Sequence, residues 1–217
     1  MTKIILGSIV LAVVLAWWIF SVKRRRRSRH NEVERISKTL GSYMEEYGPE
    51  TSLLEATGLP FFLEAHNCVG KNLFHFKDDG GTESYFFDYA CVAAKGAQEE
   101  QRECTVALFD LKKDALPAFC LSSDGTGSAP QTAGFELVNL KPVEGMPPGA
   151  KIYGGDGPRM MALFTPARTA LFAAEPDWNA QGSGKYLLLY KEGRLVHASA
   201  YHAFMASARA LAAGLSA

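Results

Sequence analysis

The sequence lacks the usual signatures of a catalyst. Four cysteines and five histidines are spread over 217 residues, with no CxxC or HxxxH pair among them. Nothing therefore preorganises a tetrahedral zinc site from His66, Cys68, His75, Cys91, Cys104 and Cys120, and no metal is expected. GxSxG, GxxxxGK[ST] and HExxH are missing as well, so acyl transfer, nucleotide hydrolysis and metalloprotease chemistry have no motif here, and no cofactor is implied. Acidic residues are absent before Glu32, whereas seven of the 23 Lys and Arg residues fall at Lys3, Lys23, Arg24 to Arg27 and Arg29. From His30 onward 188 residues remain, in which 16 basic side chains face 23 acidic ones. An acidic soluble part does not suit nucleic acid, where affinity comes from clustered Lys and Arg on phosphates. A hydrophobic content of 47% is that of an ordinary packed domain, not of a disordered chain or a small disulfide scaffold.

The one long apolar run is Ile4 to Val22, IILGSIVLAVVLAWWIFSV, nineteen residues without a charge. As a helix it spans roughly 28 Å at ~1.5 Å per residue, close to the hydrocarbon thickness of a bilayer. Trp17, Trp18 and Phe20 stand near its C-terminal end, where amphipathic rings favour the headgroup layer, and the basic cluster follows directly. The membrane-interface residues are thus Trp17, Trp18, Lys23, Arg24, Arg25, Arg26, Arg27 and Arg29. One Lys precedes the run and six basic residues follow it within seven positions, so the expected orientation puts the N-terminus outside and the C-terminal domain in the cytoplasm. A cleaved signal peptide fits less well, because nineteen residues is long for its apolar core and no small-x-small site precedes the arginines.

In the soluble part, Val33, Ile36, Leu40, Tyr43 and Tyr47 recur at spacings of three and four, which predicts an amphipathic helix from Asn31 to Tyr47, ended by Gly48 and Pro49. Thr51 or Ser52 is expected to cap a short helix through Ala56, closed by Gly58 and Pro60. Beyond Pro60, aromatic and β-branched runs between turn residues predict strands at Phe61 to Ala65, Asn72 to Lys77, Ser84 to Cys91, Cys104 to Asp110, Ala118 to Leu121 and Phe135 to Asn139. Asp78-Asp79-Gly80-Gly81 predicts a tight hairpin turn, and the polar stretch Ala93 to Glu103 a loop between antiparallel strands. Pairing Cys91 with Cys104 in that hairpin would put Phe87, Tyr89, Val106 and Leu108 on one apolar face, with Phe86 and Phe109 on the other.

Ser122 to Gly134 and Lys141 to Pro158 are Gly- and Pro-rich and read as surface loops around a short strand at Ala150 to Tyr153. Thr165-Pro166 is the pattern of an N-cap and first helical proline, opening a helix over Ala167 to Glu175. Asp177 to Gln181 and Lys185 to Lys191 form a hairpin about Gly182-Ser183-Gly184, and Glu192-Gly193 turns the chain into Leu195 to His197. A last helix from about Ser199 to Leu215 puts Tyr201, Phe204, Met205, Ala208, Leu211, Ala212 and Leu215 on one face. The expected fold class is α+β: an N-terminal transmembrane helix (1–23), a basic flank with an amphipathic helix (24–50), and a domain (51–217) with a mostly antiparallel sheet, flanking helices and a C-terminal helix.

Two stretches carry a resemblance. Phe86 to Leu121, FFDYACVAAKGAQEEQRECTVALFDLKKDALPAFCL, resembles the FDY, TV and LPxFxL pattern of a bacterial family of membrane-anchored proteins of unknown function. Ala162 to Val196 is similar to the same family's Phe-Thr-Pro helix and following hairpin, with Trp on the first strand and Leu-Leu-x-Tyr on the second. Family members often carry a glutamate where this chain has Ser122, Ser123 and Asp124, and another where it has Ala180 and Gln181. The shared residues are aromatic and aliphatic, so the resemblance implies an anchored α+β domain and brings no activity with it.

Few residues outside these patterns invite a chemical role. Asp88, between Phe87 and Tyr89, needs a hydrogen-bonding partner if buried. Gly154-Gly155-Asp156-Gly157-Pro158 reads as a turn, because it has no neighbouring Lys-Ser or Lys-Thr and its proline donates no amide hydrogen. His197 and His202 read as cap or surface residues. The expected function is that of a protein-binding or accessory subunit at the cytoplasmic face of a bacterial inner membrane, with lipids and another membrane protein or complex as partners. The alternative is a small-ligand binder or enzyme with a pocket walled by the Ser122 to Gly134 and Lys141 to Pro158 loops.

Overall fold

The computed structural model describes residues 2–95, 98–112, 116–123, 136–137, 146, 148–155 and 157–216. The chain divides into two compact units, Met1–Tyr43 and Met44–Ala217. The first is built on one helix, α1 (Thr2–Leu40), 39 residues long and unbroken across the basic cluster. The predicted boundary at residues 23 and 24 is thus no break in the backbone. The predicted helix to Tyr47 stops short at Leu40. Gly41 takes φ +63°, a left-handed conformation cheap only without a Cβ, and the Ser42 amide then donates back to the Ser37 carbonyl at 3.1 Å. Tyr47 belongs to a short strand, β1 (Glu45–Tyr47).

The second unit is α+β, with a nine-stranded antiparallel sheet. Its further strands are β2 (Ala65–Lys77), β3 (Glu83–Lys95), β4 (Gln98–Asp110), β5 (Leu116–Ser122), β6 (Glu136–Leu137), β7 (Lys151–Gly154), β8 (Asn179–Gly184) and β9 (Tyr186–Tyr190). They lie in the order β1-β2-β3-β4-β9-β8-β5-β7-β6. The β2–β3 hairpin closes through Asp78, whose Oδ1 accepts from the Thr82 amide at 2.8 Å, with Gly81 at φ +83°. That is the turn expected of Asp-Asp-Gly-Gly.

The β3–β4 hairpin is longer than expected. Ala93 to Lys95 and Gln98 to Glu103 are strand rather than loop, paired as far as Lys95 with Gln98. Cys91 faces Arg102 and Tyr89 faces Cys104, so the expected register is off by two residues. A slip of two preserves the alternation of side chains, and the apolar face is as expected. Phe87, Tyr89, Cys91, Cys104, Val106 and Leu108 share one buried cluster with Leu188 and Tyr190 of β9.

That face is covered by α2 (Thr51–Ala56) and α3 (Pro60–Leu63). Neither Thr51 nor Ser52 is the cap of α2; Glu50 stands there, and Ser52 Oγ donates to its Oε2 at 3.3 Å. The expected strand at Phe61 to Ala65 is instead largely α3. Pro60 occupies its first position, where a missing amide hydrogen costs nothing; Phe62 meets Tyr89 edge-on at 5.3 Å and Phe61 lies tilted against it at 5.4 Å.

On the opposite face lie α4 (Gly157–Leu163), which the sequence did not signal, α5 (Pro166–Ala174) and α6 (Tyr201–Ser216). Thr165 caps α5 with its side chain as predicted, accepting from the Arg168 amide. All seven residues expected on the inner face of α6 are buried. Tyr201 packs on Phe74 and Phe204 on Trp178, with centroids 5.4 and 4.8 Å apart, so the central strands are covered on both sides. Leu195 to His197 does not join the sheet; the segment is tied to β4 by the Thr105 amide donating to the Arg194 carbonyl at 3.0 Å. Of the expected strand at Phe135 to Asn139, Glu136–Leu137 is described. On the segments from which the pocket reading is built, residues 124–134, 141–145, 147 and 156 lie outside the described residues.

Candidate functional site

On α1, Val13, Val14, Leu15, Trp17, Trp18 and Phe20 are 50% to 69% exposed. At 100° per residue these six, together with exposed Ala16, surround the helix axis. A helix apolar all round is a buried or lipid-covered element in any stable arrangement. Lys23 follows Trp18 by about 7.5 Å of helical rise. Lys23, Arg24 and Arg27 are exposed and Arg29 is half-buried; the side chains of Arg25 and Arg26 lie outside the described residues. Among the described residues no helix is long and apolar enough to cross a membrane. The side chains of residues 1–12 and of Ile19 are outside that description, so the expected span rests on the sequence run itself.

Within the second unit, the candidate chemical residues resolve into structural ties. Asp88 is buried, and its carboxylate accepts from Asn72 Nδ2 at 2.9 Å and Thr105 Oγ1 at 2.7 Å. Thr105 Oγ1 in turn accepts from the Val196 amide at 2.9 Å. Asn72 holds φ +54° at an irregularity of β2, so one carboxylate fixes a kink in β2 and the return of the chain after β9. Its partners are thus two side chains, and the loop backbone at Val196 is reached through the Thr105 hydroxyl. His197 Nδ1 is 3.4 Å from the Ser199 amide that it caps and 3.0 Å from Ser199 Oγ, an exposed turn at the start of a short 3-10 segment. His202 is exposed.

One charged cluster escaped the sequence reading, because its members are far apart in the chain. Glu83, at the start of β3, accepts from Tyr85 Oη at 2.5 Å and pairs with Lys112 Nζ at 3.2 Å and His75 Nε2 at 3.4 Å. Asp110 pairs with Lys112 and Lys185, both at 3.0 Å. Hydrogen bonding from Tyr85, then from Lys112, lowers the Glu83 carboxyl to about 2. Burial works against ionisation of Asp110, but donation from Lys185 and Lys112 holds it below the usual carboxylate range. Burial and the Glu83 carboxylate raise Tyr85. Both carboxylates are therefore held ionised, Glu83 by Tyr85 and then Lys112 and Asp110 by Lys185 and Lys112, which suits a structural belt at the sheet's end. No group of three or more His, Cys, Asp or Glu among the described residues could hold a metal ion.

The fold defines a class: an α+β domain with a long antiparallel sheet, helices on both faces and an N-terminal helix. A solved structure with this fold is that of the mycobacterial trehalose monomycolate transport factor A, TtfA, with a TM-score of 0.61 and 12% identity over 83% of this chain and 90% of that one. No family model matches the chain, and no curated protein matches it.

Proposed function

We propose that the chain is a membrane-anchored accessory protein, held by α1 and working through its α+β domain on another membrane protein or complex. The observation that carries this is the exposed apolar belt of Val13 to Trp18 and Phe20, on all sides of a helix, followed by exposed cations at Lys23, Arg24 and Arg27. An isolated helix of that kind gains stability only when lipid or a partner helix covers it. The run Ile4 to Val22 crosses a bacterial inner membrane once, and the basic block keeps the second unit in the cytoplasm. The anionic headgroups that meet Lys23 to Arg29 are the lipid partners.

The partner is a protein because the ionisable groups inside the domain are already matched, Asp88 with Asn72 and Thr105, Glu83 and Asp110 with lysines. The likeness to TtfA, named a transport factor, supports an accessory role beside a transport system. The resemblance of Phe86 to Leu121 and Ala162 to Val196 to an anchored bacterial family belongs to the same reading. Affinity purification of the full chain from membranes in mild detergent tests it. A defined integral-membrane partner at fixed stoichiometry is expected, and recovery of the chain alone under several detergents overturns it.

A further inference from the structure

The four cysteines are free thiols, and the ladder between β2 and β3 singles out two of them. His66 faces Val92 and Val69 faces Ala90, so Asn67 and Cys68 together stand opposite the single residue Cys91. This is a β-bulge, and Asn67 absorbs it at φ +54°, a conformation asparagine tolerates better than most. Cys68, half-buried, packs on the apolar cluster that contains Cys91, Cys104 and Tyr89, so its sulfur is on the Cys91 side of the sheet. Residues opposed across an antiparallel pair have Cα atoms roughly 4.5–5.5 Å apart, inside the window of about 4.4–6.8 Å that a disulfide needs. The pair suggested by the sequence, Cys91 with Cys104, fails the same test. Cys104 faces Tyr89, which makes it a diagonal neighbour of Cys91, and diagonal pairs stand about 7–8 Å apart.

We infer that Cys68 and Cys91 form a redox-modifiable dithiol, in which Cys68 is the entry thiol and Cys91 the resolving one. The oxidant class is a low-molecular-weight disulfide such as glutathione disulfide. The Cys68 thiolate attacks one sulfur of that disulfide, forming a mixed disulfide and releasing one glutathione thiolate. Cys91 then attacks the Cys68 sulfur, and the second glutathione leaves as a thiol carrying the Cys91 proton. Two protein thiols are oxidised and one glutathione disulfide is reduced to two glutathiones. The order follows from access: Cys68 is partly exposed, whereas Cys91 is buried beneath α3 and burial pushes its thiol up to about 11. Cys104 and Cys120 are buried and have no opposed cysteine. The bond would staple the bulge to β3 and fix β2 on the edge side of the sheet. The inference is independent of the membrane reading, and in a reducing cytoplasm the pair rests as dithiol.

The test uses the full chain in detergent micelles, equilibrated with mixtures of glutathione and glutathione disulfide, then alkylated and mapped by mass spectrometry. Wild type is expected to lose half of its four free thiols and to yield a Cys68–Cys91 cross-linked peptide that dithiothreitol reverses. Cys91→Ser is expected to trap a glutathione adduct on Cys68, Cys68→Ser to remain unmodified, and Cys104→Ser to behave as wild type. A glutathione adduct that persists on Cys68 in wild type, a Cys91–Cys104 cross-link, or no thiol loss at any ratio would each overturn the assignment.

Discussion

Asp88 Oδ1 accepts a hydrogen bond from Thr105 Oγ1 at 2.7 Å, directly across the β3–β4 ladder. Through that hydroxyl the carboxylate also holds the Val196 amide, which no sheet ladder would otherwise satisfy. Thr105→Val keeps the shape but removes both the donor to Asp88 and the acceptor for Val196. Leaving buried groups unsatisfied costs about 1–3 kcal/mol for each. The full chain in micelles, followed by the fluorescence of buried Trp178, is expected to melt roughly 4–24 °C lower, since about 2–6 kcal/mol is lost in all and 1 kcal/mol moves the midpoint of a chain this size by about 2–4 °C. Thr105→Ser should retain most of the stability; equal losses in both variants would mean that packing of the methyl, and not the hydroxyl, matters.

What was legible in the chain was whatever depends on local chemistry or on alternation. Thr165-Pro166, Asp-Asp-Gly-Gly and the inner face of α6 follow from capping, turn and helical-period rules acting within a few residues. The face assignment of Phe87, Tyr89, Val106 and Leu108 survived because alternation is blind to a slip of two. The register itself was not legible. Gln98 to Glu103 reads as loop because the distal arm of the hairpin is solvated, with Glu99, Glu100, Gln101 and Glu103 exposed, and so carries no apolar alternation. Phe61 to Leu63 looks like strand by composition, and only its packing on Tyr89 and Tyr190 makes it helical. The aromatic and basic residues of α1 stand together in the chain, whereas the Cys68–Cys91 opposition depends on a bulge and the Glu83–Lys112–Asp110–Lys185 belt on pairing between distant strands.

The belt sets the acid limb of stability. The Glu83 carboxyl falls from 4.5 to about 2 on folding, through hydrogen bonds from Tyr85 and then Lys112. A lowered folded-state value contributes stability that is complete above the unfolded value and is lost as pH falls toward the folded one. The melting temperature of wild type should therefore drop between about pH 4.5 and pH 2. Glu83→Gln should melt lower than wild type at pH 7 and converge with it toward pH 2. A gap that is the same at both pH values would show that Glu83 acts by shape alone.

In the proposed topology the basic block sets orientation. Lys23, Arg24 to Arg27 and Arg29 follow the apolar run, against a single lysine before it. Replacing all six by Gln is expected to remove the bias that, in the proposed topology, retains this flank in the cytoplasm. A C-terminal reporter active only outside the cytoplasm is expected to stay dark on the wild-type chain and to light up on a substantial fraction of the variant. Signal from the wild-type fusion would reverse the proposed topology.

Gly182 and Phe119 are paired across β8 and β5, and the ring occupies the space a side chain at 182 would need. A Cβ built on Gly182 would run into Phe119 Cε1, and both residues are buried. Gly182→Ala alone therefore forces the ring off its position against Phe164, with an expected cost of about 1–3 kcal/mol, as for overpacked cores in general. Phe119→Ala alone leaves a cavity and costs about 3–5 kcal/mol. In the double variant the new methyl meets no ring, so the penalty of Gly182→Ala should vanish against the Phe119→Ala background. A double-mutant cycle by thermal unfolding is then expected to return a favourable coupling close to the whole cost of Gly182→Ala. Strict additivity would mean that the glycine answers to backbone freedom and not to the aromatic ring beside it.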